Sequence, residues 1–361
     1  MVSSIQPSAD PAGEATADAV AAAPLASHPA THPATHRAPR RRPSTARAVA
    51  VLVLVAVAAL VPLLGPSTAL SGTGEAEAPG TAGITFLRTV MFAALCVQLG
   101  EVYATRLARR VPGAPLDSAP RSWAAYAAVA GLVAALGLAS VVATGNLVPH
   151  QLSDMDVGGL YASRDGRLAL LEVNAFIVAL LCARSRRPSG AALPLAAVIV
   201  AEALRAHPPA EDTPLIGTGL TLVHLTCGVL WAGGLLQVLR MLRLWRTSAP
   251  EAGAAVLGLY ARVAAVLFAA ITVTGVFSTL RRMPPSTVLD QLTDTGYGRT
   301  LLAKVLLVAV VAVLALLARR RLRRATDPVS AYSPARGEVI ALGVVVAVSA
   351  LLTALPLPIR W

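Results

Sequence analysis

A histidine, a cysteine and a tryptophan stand at steps of three and four inside an apolar, uncharged run, Leu222–Leu236 (LVHLTCGVLWAGGLL). On a helix that spacing turns His224, Cys227 and Trp231 toward one face. An imidazole and a thiol inside a bilayer cost free energy unless they find partners, so their position makes them candidate functional groups. The chemistry they offer is soft-metal binding. Imidazole suits copper, and thiol or thioether suits Cu(I). Further candidate ligands are His207, His150, Met155 and Met283, with the 148–156 segment placing His150 and Met155 beside Asp154 and Asp156. No two of these residues have the spacing of a recognised metal motif. His28, His32 and His36 recur every four residues, but the prolines between them forbid the helix that would align them. Each candidate also has an ordinary role. Cys227 and Trp231 can pack, His207 can be solvated at a loop edge, and His224 can bond a neighbouring helix.

The elements that must position these groups follow from composition. The chain has 361 residues, of which 55% are hydrophobic and only 14% charged, against about 25% charged in soluble domains. Nine apolar blocks, at about 48–69, 84–106, 122–145, 167–183, 190–206, 215–239, 255–279, 299–318 and 337–357, are long enough to cross a bilayer. The predicted fold class is an all-α polytopic transmembrane bundle. Unbroken apolar runs exclude a transmembrane barrel. Residues 1–47, rich in Ala, Pro, Ser and Thr, read as a disordered cytoplasmic tail. Pro62 and Pro194 are placed to bend spans 1 and 5, and Gly233, Gly234 and Gly275 to let helices approach closely.

The net charge is +12. Its arginines sit in short clusters between apolar blocks, so they read as topology determinants, and nucleic acid is not an expected partner. The basic connections alternate with those that carry most of the loop acids, Glu75, Glu77, Asp154, Asp156, Glu211, Asp212, Asp290 and Asp294. The positive-inside rule then puts the N-terminus in the cytoplasm and Arg360-Trp361 outside, in a multi-pass protein of the plasma membrane. On that topology His224 lies roughly 14 Å deep from the outside, at about 1.5 Å per residue. His207, Glu202, Glu172, Lys304, Arg281 and Arg282 gather in the same outer half. The inner half holds chiefly Glu101, Arg262 and Glu338. Glu202 and Arg205 can pair at i, i+3, and Lys304, Glu172 and Arg88 can snorkel. Three cysteines without a CxxC partner indicate neither a disulfide framework nor a zinc ribbon. No phosphate-binding loop or pump motif is present, so the protein is not expected to be an enzyme.

Four segments, in order, carry a family resemblance. HLTCGVLWAGGLL (224–236) resembles the H-L-x-x-x-x-x-W-x-G-G-L signature of the copper-resistance protein D (CopD) family. YARVAAVLFAAITVTG (260–275), TGYGRTLLAK (295–304) and the final block from Glu338 look like the family's later segments. The chain is thus similar to CopD proteins of actinobacterial type, well over a CopD-like domain at 195–358 and more loosely back to about residue 84, within the N-terminal transmembrane helices of 48–194. The resemblance implies copper as substrate or ligand, and copper transport, resistance or homeostasis as the function. It matches His224 and His207 to family histidines, and it suggests a periplasmic copper-binding partner of CopC type. Two other readings stand beside it: a scaffold working with cytochrome oxidase assembly factors, and a b-type haem electron-transfer protein, which would need a pair of axial histidines.

Overall fold

Each apolar block predicted as a span carries a helix, because backbone groups removed from water must be paired within their own segment. The structure, a computed structural model, describes residues 45–145, 151, 156–324 and 332–356. In chain order the helices are α1 (Thr45–Leu70), α2 (Thr81–Ala108), α3 (Ala124–Thr144), α4 (Val157–Ala162), α5 (Arg164–Arg184), α6 (Ala192–Arg205), α7 (Pro214–Trp245), α8 (Pro250–Arg282), α9 (Val288–Asp294), α10 (Gly296–Arg324) and α11 (Tyr332–Leu352). Among the described residues there is no strand. Seven helices are long and apolar enough to cross a membrane: α2, α3, α5, α6 with its preceding turn, α7, α8 and α10. At the other two predicted positions stand α1 and α11, whose described apolar stretches, Ala59–Leu70 and Val339–Leu352, are shorter. The fold is an all-helical bundle of a multi-pass membrane protein. His150 and Met155, the tail histidines and the side chain of Glu338 lie outside the described residues.

Local chemistry sets the helix ends. Ser163 caps α5 by accepting from the Gly166 N–H at 3.0 Å, and Asp156 caps α4 by accepting from Gly159 at 2.8 Å. Pro214 and Pro250 open α7 and α8 at the first helical position, where no N–H is needed. Pro194 stands in the first turn of α6, after a short 3₁₀ turn at Pro188–Ala191, so it does not interrupt span 5. Pro62 lies inside α1 with Pro66.

Contacts between connections show that successive long helices run antiparallel. At one end Glu75 accepts from the Gly296 N–H at 3.0 Å, Arg88 donates to the Thr353 carbonyl at 2.7 Å, and Arg164 donates to the Leu204 carbonyl at 2.5 Å. At the other end Trp245 donates to the Ser118 carbonyl at 3.1 Å and Arg240 pairs with Glu101 at 3.0 Å. The first is the acidic end and the second the basic end.

Two glycines bring α2 and α7 into backbone contact. A Cβ on Gly100 would overlap the Gly233 backbone, and one on Gly233 would overlap the Cys96 carbonyl. One core cluster forms around Met91, Leu95, Phe176, Leu195 and Val198, the other around Val238, Met241, Trp245, Val256 and Tyr260. The first cluster includes residues of α2, α7 and α11, so helices on both sides of residue 194 share it. Val266, Val273 and Phe277 on α8, and Val305, Leu306 and Val310 on α10, are exposed. A continuous apolar outer face of this kind suits lipid.

Candidate functional site

Ten residues into α7 the bundle holds a half-open cavity of about 90 Å³, bounded by α2, α6, α7, α8, α10 and α11. Its wall is apolar apart from Cys96, Glu202, His224, Trp231, Lys304 and Ser349. A single water needs roughly 10–15 Å³ of such space, so several waters or a small cation fit.

His224 is held by α8. Its Nδ1 lies 3.0 Å from Thr274 Oγ1. The one hydroxyl proton of Thr274 has a carbonyl partner a turn back, Ala270 at 2.7 Å. With that proton on the carbonyl, Thr274 Oγ1 accepts from Nδ1–H. That tautomer puts the lone pair on Nε2, the form in which imidazole binds a metal. Gly275 keeps α8 close, with the His224 Cε1 at ordinary contact distance from where a Cβ would stand, 3.6 Å.

Glu202 reaches the cavity from α6 and belongs to a buried triad. Arg205, at the end of α6, contacts Glu202 and lies 2.9 Å from Glu172 on α5. Glu172 is fully buried and Glu202 nearly so. Neither oxygen of Glu172 has a hydrogen-bond partner, and neither do Nε and Nη2 of Arg205. The sequence expectation that Glu202 and Arg205 pair is met, while Glu172 sits inside the bundle and does not snorkel.

His207 is placed beyond the end of α6 and is almost fully buried. Both of its nitrogens are engaged, Nδ1 with Glu211 at 2.7 Å and Nε2 with Thr221 at 2.9 Å. Glu211 is also 3.3 Å from Arg281, which donates to the Thr213 carbonyl at 2.9 Å. Gly217 leaves the space that the His207 ring and Arg281 occupy. Burial holds the His207 imidazole below its ordinary range, with Arg281 and Arg282 acting in the same direction and Glu211 opposing them. In this arrangement His207 ties α6, α7 and the 206–213 connection together and has no lone pair left over. Thr221, the partner of His207, precedes His224 by three residues, roughly 4.5 Å along the axis of α7.

Cys227 does not line the cavity. It packs, partly buried, against the core cluster of Val238, Trp245 and Tyr260. Trp231 does line it, and meets Phe268 edge-on with ring centroids 5.5 Å apart. Met283 is buried against Tyr297 and Leu352, away from any ligand set. Among the described residues no three His, Cys, Asp or Glu side chains stand close enough together to hold a metal ion.

Residues 254–356 match the family model described as Copper resistance protein D, CopD. The chain carries a CopD domain. No curated protein and no solved structure matches the chain. The CopD match spans α8 to α11 and so contains Thr274, Lys304 and Ser349, three of the side chains around His224. The other cavity groups, Cys96, Glu202 and His224 itself, come from helices before the matched region. The CopD domain therefore supplies one wall of the site, and the preceding helices supply the other. Three of these groups escaped sequence reasoning as site residues. Thr274 looks like any intramembrane threonine, Cys96 has no motif, and Ser349 lies in a low-polarity run. A polar residue recurring on the interior face of its helix is the only signal each offers.

Proposed function

We propose that this CopD-domain protein handles copper by moving copper ions across the plasma membrane, with the ion as cargo and no bond-making chemistry. The carrying observation is His224, whose Nδ1 is fixed by Thr274 while the ring borders the cavity. On this reading Nε2 is the first ligand an ion meets in the bundle. Cys96 is the soft ligand on the cavity wall, in place of Cys227. His207 acts at the mouth as a bonded strut.

The orientation that goes with this reading has nine spans, the N-terminus inside and the C-terminus outside. The basic end, with Arg106, Arg109, Arg110, Arg184, Arg186 and Arg187, faces the cytoplasm. Copper reaches the acidic end from outside, delivered by a soluble copper-binding donor of CopC type. Replacing His224 with alanine is expected to lower copper accumulation severalfold in cells expressing the protein. Unchanged accumulation at equal expression would sink the role of His224.

A further inference from the structure

The acidic triad between α5 and α6 is more than a fastener. With both carboxylates ionised, Glu172, Glu202 and Arg205 carry a net charge of −1 in the bundle interior. Burying an uncompensated charge is costly, and the group neutralises where a proton can reach it. Glu172 has no exposed surface, and both its oxygens lack hydrogen-bond partners. An O–H on one of the two carboxylates would cancel the net charge of the group. Glu202 lines the cavity, so a proton on it borders the space that a cation would enter.

The neighbours do not supply the missing positive charge. On α5 the nearby charges are Arg164 and Asp165, and Arg164 is spent on the Leu204 and His207 carbonyls. Beyond α6 lies His207, whose partners are Glu211 and Thr221. Across the cavity stand Cys96 on α2, His224 on α7 and Lys304 on α10. Among the described residues no ion pair joins Lys304 to Glu202. Helices α3 and α4 have no charged residue, only Tyr126 and Tyr161, both exposed.

We propose that Glu172 and Glu202 share one exchangeable proton across Arg205, and that this proton leaves through the cavity when a cation enters it. One positive charge then replaces another, and the interior keeps its charge balance. The second clause rests on the copper reading, whereas the proton site does not.

The test uses the full-length protein in lipid nanodiscs, with infrared difference spectra recorded between acidic and alkaline pH in the absence of copper. The wild type is expected to show one protonated-carboxyl C=O band that disappears as the pH rises. E172Q should abolish it, E172D should keep it at a shifted frequency, and E101Q should leave it unchanged. No such band in the wild type, or an unaltered band in E172Q, overturns the shared proton. The second arm adds Cu(I) to vesicles holding a pH dye and a copper-sensitive reporter. Copper uptake with counter-movement of protons in the wild type, reduced at least tenfold in E172Q, supports the exchange. Copper uptake with no proton movement overturns the exchange. Absence of copper uptake in the wild type overturns the copper reading and the exchange together, and the infrared result still decides the proton site.

Discussion

The two ends of this bundle both bury a carboxylate against an arginine, yet they treat the pair differently. At the basic end every acceptor of Glu101 is used. Oε1 accepts from the Trp123 N–H at 2.7 Å and from Arg240 at 3.0 Å, and Oε2 accepts from Ser122 at 2.6 Å. Arg240 also donates to Gln237 at 2.7 Å and to the Arg121 carbonyl, and stacks 3.7 Å above the Trp123 ring. Toward the acidic end Glu172 and Arg205 touch, but most of their polar atoms have no hydrogen bond. A fully satisfied charge pair fixes geometry, because removing either member strands the other. A half-satisfied pair beside a cavity holds capacity for a proton, a water or an ion. The difference separates a clamp that sets helix register from a site that can change state.

The contrast can be broken in three ways. The largest effect is expected from Glu101→Ala, which takes the acceptor from Arg240 and two other donors, Trp123 N–H and Ser122. The loss should be about 3–5 kcal/mol, read as a fall in the thermal midpoint of the purified protein. A loss below about 1 kcal/mol would show that the basic end is no clamp. Next comes Thr274→Val, which removes the acceptor that orients His224. Losing such a supporting hydrogen bond lowers metal affinity or activity by about 10–100-fold. Copper binding by the purified variant should fall by that factor with its thermal midpoint unchanged. The smallest effect is expected from Glu172→Gln. It keeps the side chain's volume and leaves Arg205 its contact with Glu202, so stability should stay within about 1 kcal/mol of wild type. A loss as large as that of Glu101→Ala would make the two ends alike.

Much of the acidic end was legible before any fold was known. The alternation of basic and acidic connections put His207, Glu202, Glu172 and Lys304 in one half of the bundle, and the contacts of Arg88, Arg164 and Arg281 agree. Cys227 shows where that reasoning stopped. It shares a face with His224 within about 60° on a helical wheel. The cavity, however, is lined by Leu225, Gly228, Val229 and Ala232, which lie on the other side of His224. Cys227 is therefore turned roughly 120° from the centre of the lining face. A sequence period names a face, but it cannot say which neighbour fills it.

The sequence by itself determined the helices and the end of the bundle at which the polar groups gather, since hydrocarbon forces every backbone group into a local bond and basic connections alternate with acidic ones. Only the tertiary structure decided the chemistry of those groups. It used both nitrogens of His207 in hydrogen bonds, turned Cys227 into a packed core and brought Cys96 to the cavity. It also held the His224 ring against Thr274, fifty positions along the chain. The physical reason is that whether a buried group is a ligand or a strut depends on which partners satisfy it, and those partners come from other helices.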